Sequence, residues 1–186
     1  MLSKTKLATI LSTLKEHPSP IYYLQQYSVS PSIASQILFL AKDDIKDKIV
    51  YVLACGTGRF AIGSALMGAK LVYGVDVDRD ALEIARKNAE ITQLSTGYPI
   101  TKVCKWIWKD VRKLKKRVDT IIQFPPLIND IIFLKKAFEL GKNIYSLHSL
   151  SKKKLLEIKE ICKNEKLLWF KIKKIGRKFF LVIVKG

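Results

Sequence analysis

Acidic residues are scarce in this chain: 16 Asp and Glu stand against 34 Lys and Arg, a formal net charge of +18. Heat-adapted proteins carry many lysines but balance them with Glu, so the missing acids argue against a merely solvated Lys-rich surface. They favour a polyanionic partner, because every phosphate neutralised releases condensed counterions. Cysteine is sparse as well. Cys55, Cys104 and Cys162 are three in number and far apart, which excludes an even disulfide framework and the paired spacing of a zinc site. All three are expected to be reduced and buried. The two histidines, His17 and His148, have no Cys or acidic neighbour at ligand spacing, so no metal is expected. Long apolar runs are also missing. No stretch approaches the roughly 18 residues of a membrane span, and Lys4, Lys6 and Lys15 interrupt the start of the chain, where a signal peptide needs a continuous apolar core. A cytoplasmic protein without membrane contact is the expectation.

What is present suffices for one sizeable core: 186 residues, 48% of them hydrophobic, too few for two comfortable domains. One domain over 1–186 is expected, with an N-terminal helical part at 1–45 and a core at 46–186. Leu2, Leu7, Ile10, Leu11 and Leu14 fall at helical spacing ahead of Pro18 and Pro20. A second helix is expected to start at Ser30-Pro31, a cap followed by a residue suited to the first helical position, and to reach about Ala41. From Lys48 onward, short apolar runs alternate with amphipathic segments, which is how parallel strands and their crossovers read. The pattern predicts strands at 49–54, 70–76, 100–104, 118–124 and 143–148. Helices are expected at 59–67, 79–92, 130–140 and 151–163, with a closing hairpin of 167–174 and 178–184. This is a doubly wound α/β fold with N-terminal helices and a C-terminal β-hairpin.

The charge is unevenly placed. Residues 1–100 carry 11 Lys and Arg against 9 Asp and Glu, for +2, whereas residues 101–186 carry 23 against 7, for +16. Nucleic acid is the natural partner for such a field. The leading phosphate contacts are the runs Lys113, Lys115, Lys116, Arg117 and Lys152, Lys153, Lys154. Lys105, Lys109 and Arg112 join them, interleaved with Trp106 and Trp108 on one strand face. Core packing is the competing explanation for the tryptophans.

One segment carries cofactor chemistry. The strand at 49–54 runs straight into Cys55-Gly56-Thr57-Gly58-Arg59-Phe60-Ala61, and a helix follows. Glycines let the backbone turn tightly and approach a ligand, while the new helix presents free N–H groups. The next strand ends at Asp76, where a carboxylate can accept both hydroxyls of a ribose. The spacing also fits a dinucleotide fingerprint, but a nicotinamide oxidoreductase would need a catalytic domain for which no length remains. Asp110 lies where a loop follows the third or fourth strand, and is open to a turn or capping role.

In order along the chain, Gln25-Gln26-Tyr27, Ser30-Pro31, Ala54-Cys55-Gly56-Thr57-Gly58, Val75-Asp76-Val77-Asp78, Pro125-Pro126 and Ile144-Tyr145-Ser146-Leu147-His148 resemble the methyltransferase-like-five family. Those archaeal and eukaryotic enzymes methylate N6 of an adenine in small-subunit ribosomal RNA. The resemblance implies a Rossmann-like methyltransferase sheet and S-adenosylmethionine as cofactor. It places Gly56 and Gly58 around the cofactor's methionine part, Asp76 on its ribose, Asp110 near its adenine, and Gln26 and Tyr27 closing over it. It implies ribosomal RNA as partner, and a small zinc-ribbon activator protein that extends the sheet.

The catalytic motif departs from that pattern. Where the family has Asn-Pro-Pro-Phe, this chain has Phe124-Pro125-Pro126-Leu127. The family's Asn accepts a hydrogen of the poorly nucleophilic adenine amine, and its aromatic stacks on the flipped base. Phe124 has no acceptor, and Leu127 cannot stack in that way. Val52, Ala54 and Val29 replace the family's Asp, Gly and Thr, which predicts weak or absent cofactor binding. Gln123 offers an amide one residue early, but strand alternation points it to the opposite face. Two functions follow: an RNA adenine-N6 methyltransferase with an altered loop, or an inactive descendant acting as an RNA-binding or assembly factor.

Overall fold

Seven strands and eight α-helices form among the residues described by this computed structural model, 2–18, 28–165 and 169–186. Strands β1 (Ile49–Leu53), β2 (Leu71–Asp76), β3 (Cys104–Trp108), β4 (Val118–Gln123) and β5 (Gly141–Ser149) are mutually parallel. The closing hairpin, β6 (Trp169–Ile175) and β7 (Phe179–Lys185), adds β7 antiparallel to β5 and leaves β6 at the edge. The sheet order is β3-β2-β1-β4-β5-β7-β6. The order therefore reverses between β1 and β4, and ligands of open α/β sheets sit at that switch point, beyond the carboxyl ends of the strands.

Local chemistry sets the helices. In α1 (Lys4–Ser12) the Ser3 side chain accepts from the Lys6 N–H, and in α2 (Pro31–Leu40) Ser30 caps as its sequence signals. The remaining helices are α3 (Lys42–Ile45), α4 (Arg59–Leu66), α5 (Arg79–Thr96), α6 (Ile100–Val103), α7 (Asp130–Leu140) and α8 (Lys152–Asn164). The third strand is displaced from its expected place at 100–104. Ile100 and Val103 belong to a single helical turn started by Pro99, and the pairing strand is Cys104–Trp108. Pro99 cannot donate to a strand ladder but suits the position before a helix.

Strand alternation divides the core into two faces. On one, Leu7 and Leu11 of α1, Ile37 and Leu38 of α2 and Ile62 of α4 cover Val50, Val52, Ile122 and Tyr145. On the other, Leu134 and Ala137 of α7 and Ile158 of α8 cover Leu53, Ile121, Ile144 and Phe180. Phe124, just past β4, packs with the first face. Gln123 belongs to the second, as its pairing with Ser146 requires.

Candidate functional site

The turn after β1 is built for close approach. Gly56 (φ +51°) and Gly58 (φ +93°) take left-handed conformations that L side chains disfavour by about 1–2 kcal/mol. At Gly58 an added Cβ would also come within 2.8 Å of Trp106. Gly74 in β2 shows the same close approach, 2.6 Å to that ring, so Trp106 is a packing residue wedged beneath the turn. Ala54 also has positive φ, +51°. It stands where the related pattern has glycine, and the backbone keeps the glycine conformation.

Asp76 closes the turn from the neighbouring strand. Its carboxylate accepts from the Gly56 N–H at 2.7 Å and the Asp78 N–H at 3.1 Å. Burial pushes its pKa up, opposed by those N–H groups. A carboxylate offers about four lone-pair sites, and with the Gly56, Val77 and Asp78 N–H groups bearing on this one capacity remains for a ribose hydroxyl. An open cleft lies here, lined by Ala54, Gly56, Thr57 and Asp76 on one side and Phe124, Pro126 and Phe133 on the other. Asn88 ties the turn to the N-terminal segment, its amide donating to the Thr57 and Lys15 carbonyls. Arg59 donates to the Val29 carbonyl and pairs with Glu16 at 3.0 Å. His17 lines the cleft 3.5 Å from Asp78. Sequence reasoning gave Asn88 and Arg59 no role, because their partners lie 30–73 residues away.

The expected set of altered pocket residues is corrected. Of Val52, Ala54 and Val29, only Ala54 is among the residues lining the cleft. Val52 and Val29 are buried in the core, where an apolar side chain is favoured. Asp110 follows β3 and lines an adjoining hollow with Arg112, Ile128 and Phe133. The Arg112 side chain clasps it, holding its carboxyl below the usual range, and its Oδ1 caps the Arg112 N–H. Gln26 and Tyr27 lie outside the described residues.

Across the cleft, the loop after β4 carries Phe124, Pro125, Pro126 and Leu127. Phe124 and Pro126 face the cleft. The Phe124 ring meets Phe179 edge to face, 5.5 Å between centroids. Pro125 is buried and Leu127 is exposed outside the cleft lining. Gln123 supplies no amide to the cleft: its side chain lies on the other face and donates to Ser146 at 2.8 Å.

The expected basic patch divides between the two ends of the sheet. Lys109, Arg112 and Lys113 follow β3, and Lys152 and Lys153 follow β5, so they rim the cleft end. Arg177 and Lys178, in the β6–β7 turn, join them there, because Phe179 pairs with Ser149 and the Leu150 N–H donates to the Lys178 carbonyl at 2.7 Å. That pair went unread in the sequence, since only strand direction reveals it. Lys115, Lys116 and Arg117 lead into β4 from the opposite end, where Arg117 bonds the Glu139 carbonyl. Lys105 sits inside β3 opposite Tyr73. Lys154 turns inward onto Asp130 at 2.9 Å and Glu157 at 3.1 Å. Trp108 is exposed, with Arg79 stacked 3.5 Å from its ring centroid. No helix among the described residues is long and apolar enough to cross a membrane.

A family profile described as Ribosomal protein L11 methyltransferase (PrmA) matches residues 35–131. The chain is 37% identical over 161 residues to the protein MJ0284 of Methanocaldococcus jannaschii, covering 80% of this chain and 72% of that one. It is 34% identical over 156 residues to the rRNA N(6)-adenosine-methyltransferase METTL5 of Danio rerio, covering 78% and 74%. In three dimensions it is similar to the crystal structure of the candidate RNA methyltransferase PH1948 from Pyrococcus horikoshii, with a TM-score of 0.81 and 30% identity over 97% of this chain and 96% of that one.

Proposed function

Since the chain belongs to the METTL5 family of rRNA N6-adenosine methyltransferases, we propose that it binds S-adenosylmethionine and ribosomal RNA, and that its altered acceptor loop makes transfer to adenine N6 slow. The observation that carries this reading is Asp76, half-buried at the cleft beside the glycine turn, its carboxylate held by the Gly56 and Asp78 N–H groups and open toward the cleft. The turn itself fits the cofactor, because Gly56 leaves no Cβ between the backbone and the cleft, while Gly58 lets the turn close onto Trp106. Gly56 and Gly58 would face the methionine part, Asp76 the ribose, and the hollow with Asp110 the adenine. When bound, S-adenosylmethionine supplies an electrophilic methyl group. The chain's own task is to orient the acceptor and draw off its proton. Phe124 offers a ring where the related pattern has an amide, so the amine's hydrogens find no side-chain acceptor there. That ring also supports a second reading, an RNA-binding or assembly factor that performs no transfer.

A methyl-transfer assay with labelled cofactor on deproteinised small-subunit RNA separates the two. Slow labelling of one adenine supports the first, and none at any enzyme concentration supports the second. The activator reading rests on the sheet edge at β3, unpaired among the described residues, with Trp108 exposed and, on α5 alongside, Ile91 and Leu94 exposed as well. A zinc-ribbon protein adding a strand there would cover them. Leu94→Lys would then abolish co-purification, and its persistence would refute that placement.

A further inference from the structure

The loop that faces the cleft is six residues long, 124–129, and both of its ends are tied to one buried chain of polar side chains. Gln123, the last residue of β4, donates from Nε2 to Ser146 Oγ at 2.8 Å. Ser146 Oγ lies 2.7 Å from His148 Nε2, and His148 Nδ1 lies 3.3 Å from Asp130, the first residue of α7. Lys154 of α8 completes the chain at 2.9 Å from the other Asp130 oxygen. Gln123, Ser146, His148 and Asp130 are all at most 1% exposed.

With His148 neutral, as its burial favours, one assignment of protons satisfies the chain. Burial pushes the Asp130 carboxyl up, but hydrogen bonds from His148 and Lys154 outweigh it and hold it below its usual range. An anionic Asp130 requires the proton on His148 Nδ1, which leaves Nε2 to accept from the Ser146 hydroxyl, which in turn accepts from Gln123. Burying such groups is costly, roughly 1–3 kcal/mol for each left unpaired, and well-packed apolar residues often replace buried charged groups without loss of stability. Gln123 Oε1 is itself buried without a hydrogen-bond partner among the described residues, a cost of the same order. Its effect is geometric. It fixes the last residue before the loop and the first residue after it with respect to the same strand, β5, while Pro125 and Pro126 restrict the φ angles between.

We propose that Gln123, Ser146, His148 and Asp130 form a clamp that sets the position of the 124–129 loop, and so of Phe124 and Pro126, against the cleft; Ser146 and His148 are positioning residues. The purpose of that loop rests on the acceptor-site reading above. The clamp is tested without cofactor, by amide hydrogen exchange on the full chain. Asn129 N–H bonds the Pro126 carbonyl and Phe133 N–H the Asn129 carbonyl, each at 3.1 Å, and both report the loop. The Cys55 N–H, bonded to Val75 at 3.0 Å, reports the distant turn. Ser146→Ala should speed exchange at Asn129 and Phe133 on the order of tenfold and leave Cys55 unchanged, and Ser146→Thr, which restores the hydroxyl, should return the rates toward the unmodified protein's. Equal loop exchange in Ser146→Ala and the unmodified protein overturns the clamp. So does a rise spread evenly to Cys55, or a Thr variant as fast as the Ala variant. Failure to bind S-adenosylmethionine with exchange as expected would instead remove the cofactor reading and leave the clamp.

Discussion

The two walls of the cleft differ in kind. The β1–β2 wall keeps its polar contacts in the backbone and one carboxylate: the Gly56 and Asp78 N–H groups, which a side-chain substitution cannot remove, donate to Asp76. The β4–β5 wall keeps its polar groups in side chains, and the one that would face an acceptor is replaced by Phe124, while those behind it, from Gln123 to Asp130, persist in the interior. Cofactor binding in this fold therefore survives drift in side chains better than acceptor chemistry does. An acceptor site depends on a single projecting amide. A helix-start turn spreads its donors over several peptides.

That contrast is sharpest in the rate of transfer. Removal of one transition-state hydrogen-bond partner costs about 3–4 kcal/mol in comparable sites, so Phe124→Asn should raise N6 transfer on the order of a hundredfold. Adding Leu127→Phe should contribute further through base stacking, about 1–3 kcal/mol. No gain from either substitution, with cofactor bound, would locate the deficit outside the loop.

RNA affinity divides along the other axis, between the two ends of the sheet. Neutralising Lys152, Lys153, Arg177 and Lys178 at the cleft end should flatten the slope of log affinity against log salt by roughly 2–4, at about 0.9 per lost phosphate contact. Neutralising Lys115, Lys116 and Arg117 at the far end should change it by less than about 1. Equal effects would mean that RNA binding does not converge on the cleft.

Acid should act on the β4–β5 wall through stability. Burial pushes the His148 pKa below its ordinary value against the pull of Asp130, so between the folded value and about 6.5 the unfolded chain binds a proton that the folded one refuses. Stability should fall as pH drops through that window. Asp130, held below the usual carboxyl range, adds stability that is present above about 4 and lost as pH falls through its folded pKa. Urea midpoints at pH 7 and pH 5 check this, and His148→Gln should reduce the difference between them. A midpoint that rises toward pH 5 would reverse the sign and refute the neutral His148.

The smallest effect belongs to the β1–β2 wall. Ala54 holds φ +51°, a conformation costing a non-glycine residue about 1 kcal/mol or more, so Ala54→Gly should stabilise the protein by roughly that amount, less the added unfolded-state entropy. Destabilisation in a thermal melt would show that the Ala54 methyl packs favourably.

Much of this architecture was legible in the residues. The strands around Gly56 and Asp76 are apolar runs bounded by turn residues, and Ser30-Pro31 announces α2 with its own cap. Ile100 misled because five residues, Ile100-Thr101-Lys102-Val103-Cys104, are too few to show a period of their own, and Pro99 turned them into a helical start. The clamp could not be read, since Gln123, Ser146, His148 and Asp130 come from three elements and meet only through the register of β4 on β5. Nor could the division of the basic residues, because a sequence gives the number of lysines near a strand but not which end of the sheet each reaches. Gln123 was the exception: strand alternation alone placed it away from the cleft.

The most direct test of the contrast is a calorimetric titration of the unmodified protein with S-adenosylmethionine, repeated with Asp76→Ala. An intact β1–β2 wall predicts micromolar binding, weakened at least tenfold by the substitution, as expected for charge-assisted hydrogen bonds worth about 1.5–3 kcal/mol. No detectable binding, or binding indifferent to Asp76, would contradict the account.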